Sequence, residues 1–268
     1  MSVSYDDLKY NYIDPTGNIT ILVESTVPKE EYTIVSDYFC KKYPACEQVG
    51  FVFCDCPGAD IRLQMAGGEF CGNATMSTGA LFAKKSGLTL GQKKTVKVKP
   101  SGSPSVLDVE IECLDENYYA GKVSMPSPIG FEYRDFSFAG RDYRLPMVKF
   151  QGMYHIIFDS AEVETLSKEV AEKAVIKWCE EIGSDGMGLM FLNEAERKLT
   201  PLVYVPALKA FYWENSCASG TTATGYYLYK KYKKETDIFF TEPGGELGIK
   251  VSSENEIYLS GHVRFTAV

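Results

Sequence analysis

Phe70-Cys-Gly-Asn-Ala-Thr-Met-Ser-Thr-Gly-Ala-Leu-Phe-Ala-Lys-Lys85 lies without a gap over Ser216-Cys-Ala-Ser-Gly-Thr-Thr-Ala-Thr-Gly-Tyr-Tyr-Leu-Tyr-Lys-Lys231, at an offset of 146 residues (217 against 71). The pairs Cys71/Cys217, Thr75/Thr221, Thr78/Thr224, Gly79/Gly225, Lys84/Lys230 and Lys85/Lys231 are identical, which reads as an internal duplication. The flanks agree with this. Val96-Lys-Val-Lys-Pro100 followed by Leu107-Asp-Val-Glu-Ile111 mirrors Ile238-Phe-Phe-Thr-Glu-Pro243 followed by Leu247-Gly-Ile-Lys-Val251, each an alternating strand pair around a turn. Upstream, Tyr32, Val35 and Phe39 form one helical stripe and Val163, Leu166, Val170, Ala174 and Trp178 a second, both read as faces turned to a core. Each half then runs strands, surface helix, extended segment, Cys-headed helix and strand pair, an α+β order. The expected halves are 1–124, with a strand at about 257–268 returning to it, and 125–256, with Pro126 and Pro128 at the crossover.

Composition narrows the partners. Hydrophobic residues at 45% and charged residues at 24% exclude collagen-like and disordered classes. A net charge of -8 disfavours nucleic acid and anionic membrane surfaces and points to a small-molecule partner. Tyr226, Tyr227, Tyr229 and Tyr232 with Lys230, Lys231, Lys233 and Lys234 extend one helix whose lysines suit its C-terminus. The N-terminus lacks the cationic, apolar pattern of a signal peptide and no apolar run has membrane-spanning length, so a cytoplasmic setting with reduced thiols is expected. Cys40, Cys46, Cys54 and Cys56 lack zinc-ribbon spacing, and no metal site is expected. Neither a P-loop nor a dinucleotide fingerprint occurs, so no nucleotide cofactor is implied.

Chemistry concentrates at the repeat. Each Cys precedes a helical pattern through a small, turn-prone run, which places it at a helix N-terminus. There, free N–H groups and the positive dipole end attract anions and lower a thiol's pKa from about 8.5 towards neutrality. One Cys per duplicated half, facing each other across a pseudo-twofold, would suit racemisation: a thiolate takes the α-proton from one face while the opposite thiol donates to the other. The other six cysteines read as ordinary structural thiols.

Pro15-Thr-Gly-Asn18-Ile-Thr, Phe70-Cys71-Gly-Asn73-Ala, Gly152-Met-Tyr-His155, Ser216-Cys217-Ala-Ser-Gly220 and Glu242-Pro-Gly-Gly-Glu-Leu247 together resemble the diaminopimelate epimerase-like superfamily of cofactor-independent amino-acid racemases and epimerases. The resemblance spans nearly the whole chain. It implies two pseudo-twofold-related α+β halves, each a mixed sheet wrapped around a central Cys-headed helix, and no pyridoxal phosphate or other cofactor. It implies Cys71 and Cys217 as the acid–base pair and the backbone N–H groups of Gly72, Asn73, Ser219 and Gly220 as the carboxylate cradle. Asn18 and His155 match substrate-site positions, and Glu214 corresponds to an acidic residue that binds the substrate amine. His155 also reads as a satisfied strand histidine between Tyr154 and Ile156, and His262 as a bland one. Homodimers are expected from relatives.

Departures fall at the far end of the ligand. Where the epimerase holds a distal amino-acid group with Asn, the nearest positions here read Met65, Met153 and Met187-Gly188. A second zwitterionic head would leave its charges unpaired there, at several kcal/mol. Met with Tyr154, Tyr212 and Trp213 nearby suits a flat imidazole, so L-histidine/D-histidine is the expected substrate pair, as in histidine racemases that feed metallophore synthesis. Diaminopimelate epimerase and proline or hydroxyproline racemase are the alternatives within the reaction class. Outside it stand a phenazine-biosynthesis-type isomerase and a non-catalytic amino-acid-binding protein.

Overall fold

The structure, a computed structural model, describes residues 5–54, 56–159 and 167–267. The chain divides into two compact units, Met1–Ser124 with Ser260–Val268, and Met125–Leu259. Both mix strands and helices, an α+β fold.

In the first unit seven strands follow one another in spatial order: β1 (Tyr10–Pro15), β2 (Thr20–Val23), β3 (Gln48–Phe53), β4 (Ile61–Met65), β5 (Lys93–Pro100), β6 (Leu107–Asp115) and β7 (Tyr118–Ser124). The late strand β16 (Glu256–Thr266) lies beside β7, and its end pairs antiparallel with β1, Tyr12 opposite Thr266 and Pro15 opposite Val263. Helix α1 (Tyr32–Lys42) buries Tyr32, Val35 and Phe39, the residues of the predicted stripe, against Ile21, Val49 and Phe51. Helix α2 (Gly72–Lys85) packs on β1, β2 and β4 through β7.

In the second unit the order is β15 (Gly245–Ser253), β14 (Thr236–Glu242), β12 (Lys198–Val205), β11 (Met187–Asn193), β10 (Tyr154–Asp159), β9 (Arg141–Lys149) and β8 (Gly130–Phe138), with β13 (Ala210–Trp213) added beside β12. Helix α3 (Lys168–Ile182) starts at Ser167, whose side chain accepts the Val170 N–H, and stops at left-handed Gly183. Its Ala174 and Trp178 are buried, with Phe158 stacked on Trp178 at 5.9 Å; Val163 and Leu166 of the predicted stripe lie outside the described residues. Helix α4 (Ala218–Tyr232) packs on β9, β10, β11, β14 and β15.

The repeated residues explain themselves in α2 and α4. Both helices are buried nearly all round, so their polar side chains must bond internally. Thr75 and Thr221 hydroxyls donate to the carbonyls of Cys71 (2.7 Å) and Cys217 (2.8 Å), and Thr78 and Thr224 to those of Ala74 and Gly220. Gly79 and Gly225 let each helix backbone lie directly on a strand: an added Cβ would meet Val109 Cγ1 at 2.7 Å and Ile249 Cγ1 at 2.6 Å. Val109 and Ile249 occupy matching places in the mirrored strand pairs, where Val96 faces Val109 and Ile238 faces Ile249.

Candidate active site

Cys71 and Cys217 are the N-caps of α2 and α4, with nearly the same backbone: φ -132, ψ 116 at Cys71 and φ -128, ψ 101 at Cys217. In each, Sγ accepts the N–H three residues on, from Ala74 and Gly220, both at 3.4 Å. The Gly220 N–H therefore aims at the Cys217 sulfur, while Ser219, Gly72 and Asn73 sit in the first turns of their helices. A turn clamps the segment ahead of each Cys. In the first unit the Ser101 hydroxyl donates to the Glu69 carbonyl at 2.8 Å, and Gly102, at φ +67, comes so close to Phe70 that a Cβ would lie 2.2 Å from its nitrogen. In the second the Gly244 N–H donates to the Asn215 carbonyl at 2.7 Å.

Asn18 follows the Thr16-Gly17 turn, both residues at positive φ, and is buried. Its amide donates to Glu47 at 2.5 Å, its oxygen accepts from Gln48, and Gln48 also reaches Thr20 at 2.8 Å. The Glu47–Gln48 anchor carries no signal in the sequence, because it forms only where β3 pairs with β2, Gln48 opposite Thr20.

Around Cys217 the second unit assembles four more groups. Ser219 Oγ lies 3.6 Å from the Cys217 sulfur and 3.0 Å from His155 Nε2. His155 is fully buried on β10, opposite Gly188 of β11, where a Cβ would fall 2.3 Å from Nδ1; glycine is what admits the ring. Burial holds its pKa down to about 3, so the imidazole is neutral. Glu214 hydrogen-bonds the Cys217 thiol, and Glu242 accepts the Cys217 N–H at 2.8 Å and the Thr221 hydroxyl. Burial first, then Glu214 and Glu242, push the Cys217 thiol well above its ordinary value, with Ser219 opposing. The expectation of a lowered pKa at this helix end is corrected: desolvation and two carboxylates outweigh the dipole. Burial likewise raises Glu242 to about 8.

The proposed imidazole pocket is also redrawn. Met65 and Met187 are fully buried, Met187 within the core under α3, and Trp213 stacks on Phe191 at 5.7 Å while donating to Glu172 at 2.8 Å. Tyr212 is exposed. Met190 of β11 packs against the first turn of α4, where a Cβ on Gly220 would lie 2.1 Å from its sulfur. Lys230 and Lys231 are paired with Glu254 and Glu194. Among the described residues no cluster of three metal-ligating side chains occurs and no helix is long and apolar enough to cross a membrane.

A family model described as "Histidine racemase CntK N-terminal domain" matches residues 7–268. A histidine racemase of Fusobacterium nucleatum subsp. nucleatum is 34% identical over 267 residues, 97% of this chain and 95% of that protein. One of Staphylococcus aureus is 30% identical over 246 residues, 90% of this chain and 87% of its own. Among solved structures, a hydroxyproline epimerase from Agrobacterium vitis shares the fold at TM-score 0.72 and 11% identity, covering 97% of this chain and 91% of the other.

Proposed function

We propose, from the premise that the chain belongs to the histidine racemase CntK family, that it interconverts L-histidine and D-histidine, one of Cys71 and Cys217 taking the α-proton and the other donating its own. The observation that carries this reading is the repeated N-cap: two units, each with a Cys in the same backbone geometry at the head of a buried helix. Inversion needs a base on one face of the α-carbon and an acid on the other, and one Cys from each unit would supply the pair. A thiolate removes the proton, a thiol supplies another, and the roles exchange in reverse.

Charge builds on the substrate carboxylate as the α-proton leaves. N–H groups of Gly72, Asn73, Ser219 and Gly220, with the dipole ends of α2 and α4, are proposed to stabilise it. Glu214 is proposed to take the substrate ammonium, a role its hydrogen bond to Cys217 supports, and Asn18 to contact the substrate as well. His155 acts through Ser219, as a neutral hydrogen-bond partner. The chemistry requires no cofactor, because the two thiols carry the proton and the helix ends carry the charge. A cytoplasmic setting keeps the thiols reduced, a homodimer is the proposed assembly, and a metallophore-building step would use the product's imidazole as a metal ligand.

The test is α-proton exchange in D2O by NMR, without added cofactor, over L- and D-histidine, proline and meso-diaminopimelate. Exchange with inversion for histidine is expected. Exchange confined to proline or diaminopimelate would overturn the substrate, and no exchange with any of them would overturn the reaction.

A further inference from the structure

Beneath the head of α4 lies a carboxylate that the proton-transfer scheme does not use. Glu242 ends β14, and the β14–β15 turn folds it under Cys217, where it is 4% exposed. One oxygen accepts the Cys217 N–H at 2.8 Å; the other accepts the Thr221 hydroxyl one turn along. Counted from Val96 and Ile238, which face the matching residues Val109 and Ile249, the corresponding place in the first unit's hairpin is Pro100, also buried. The two copies of the repeat thus differ at this hairpin position, a buried carboxylate in the second unit standing where the first has an apolar ring.

We propose that Glu242 is a positioning residue that acts through Cys217: its hydrogen bonds fix the helix head and its charge makes Cys217 hold its proton more tightly, so the two catalytic thiols are unequal. The proposal rests on reading Cys217 as a proton carrier. From α4 the titratable group facing Glu242 is Cys217, and from the segment ahead of it, Glu214. Lys198 of β12 and Glu246 of β15 are exposed, and Lys198 pairs with Glu196 at 2.7 Å. Burial raises Glu242 to about 8, so its charge develops in the pH range where a thiol ionises. Two such groups titrate as a pair, each opposing the other's ionisation.

Glu242→Gln separates charge from shape. The amide oxygen still accepts the Cys217 N–H, and the amide NH2 donates to Thr221, whose hydroxyl keeps its bond to the Cys217 carbonyl at 2.8 Å. The experiment measures iodoacetamide alkylation of Cys217 against pH, resolved by peptide mass spectrometry on the full chain. Rates for wild type and E242Q should coincide near pH 7 and diverge above about pH 8, E242Q reacting up to about tenfold faster, one pKa unit's worth. Identical profiles overturn the proposal. In the wild type alone, the Cys217 profile should be broader than a one-proton titration, and a simple one-proton curve refutes the coupling without any variant. Kinetically, E242Q should shift the pH profile of kcat/KM with KM nearly unchanged, whereas E242A, which strips the Cys217 N–H of its acceptor, should also lower kcat. A shifted alkylation profile in a chain that racemises nothing would retire the proposed function and leave this coupling standing.

Discussion

Replacing Gly225 by alanine sets two known effects against each other. In a helix interior, Gly→Ala stabilises by about 1 kcal/mol. Here the new methyl would lie 2.6 Å from Ile249 Cγ1, 2.7 Å from Cγ2 and 3.2 Å from Cβ. All three atoms belong to a β-branched residue with a stiff χ1, held in β15 opposite Ile238, so none swings aside. Overpacking of this kind costs about 1–3 kcal/mol, and with no flexible neighbour the upper end applies. The net is a loss of about 2 kcal/mol, which at an m-value of about 2 kcal/mol/M lowers the urea midpoint by about 1 M. Both tryptophans, Trp178 and Trp213, lie in the second unit, so intrinsic fluorescence follows the unit that carries the change. Ile249→Ala removes both γ carbons, and the double variant should be more stable than the sum of the singles predicts by about 1–3 kcal/mol. A G225A chain as stable as wild type would refute the argument that this glycine is there for close approach.

Cys71→Ala and Cys217→Ala should each abolish racemisation while the second unit's fluorescence transition stays cooperative; full activity in either sinks the two-thiol scheme. His155 is neutral when folded but takes a proton at pH about 6.5 when unfolded. The unfolded state thus binds more protons between pH 6.5 and about 3, and stability falls as pH drops through that window by up to about 1.4 kcal/mol per unit. His155→Gln should flatten the slope, measured by urea titrations at pH 6 and 4; an unchanged slope means the imidazole is not held neutral. Cys40 and Cys46 have sulfurs 3.9 Å apart, and hydrogen bonding between them holds the Cys40 thiol down to about 7. Hydrogen peroxide should oxidise Cys40 to a sulfenic acid, releasing water, and the Cys46 thiol should then displace a second water to close a disulfide. Peptide mapping that finds both reduced after treatment would refute it.

What was legible in the sequence is what short-range chemistry decides. A Cys before a small-residue turn caps its helix, a Thr four residues on returns its hydroxyl to that Cys carbonyl, and a Gly eight residues on faces a strand, all within one segment. The stripe Tyr32, Val35, Phe39 is buried because helical periodicity alone selects one face. The groups that tune the site come from elsewhere in the chain. Glu242 reaches Cys217 across 25 residues, and only the β14–β15 register turns it inward. The direction of the Cys217 shift follows from burial first, which a segment does not display, whereas the helix end that would lower it is plain in the segment. Met187 and Trp213 resemble pocket residues as readily as core residues by side chain, and the packing of α3 decides between them.

Strand β16 gives the first unit a discontinuous origin. Tyr12 finds Thr266 and Asp14 finds Arg264, so β1 is completed by a strand that follows the whole of the second unit in the sequence. On the ribosome, Met125–Leu259 is contiguous and has all its residues once Leu259 has emerged, whereas the unit that comes first in the sequence still waits with β1 unpaired on that side. Vectorial synthesis would therefore reverse the order of the halves: the second to emerge is the first able to close, and the Cys71 half closes only once the residues after Leu259 have followed.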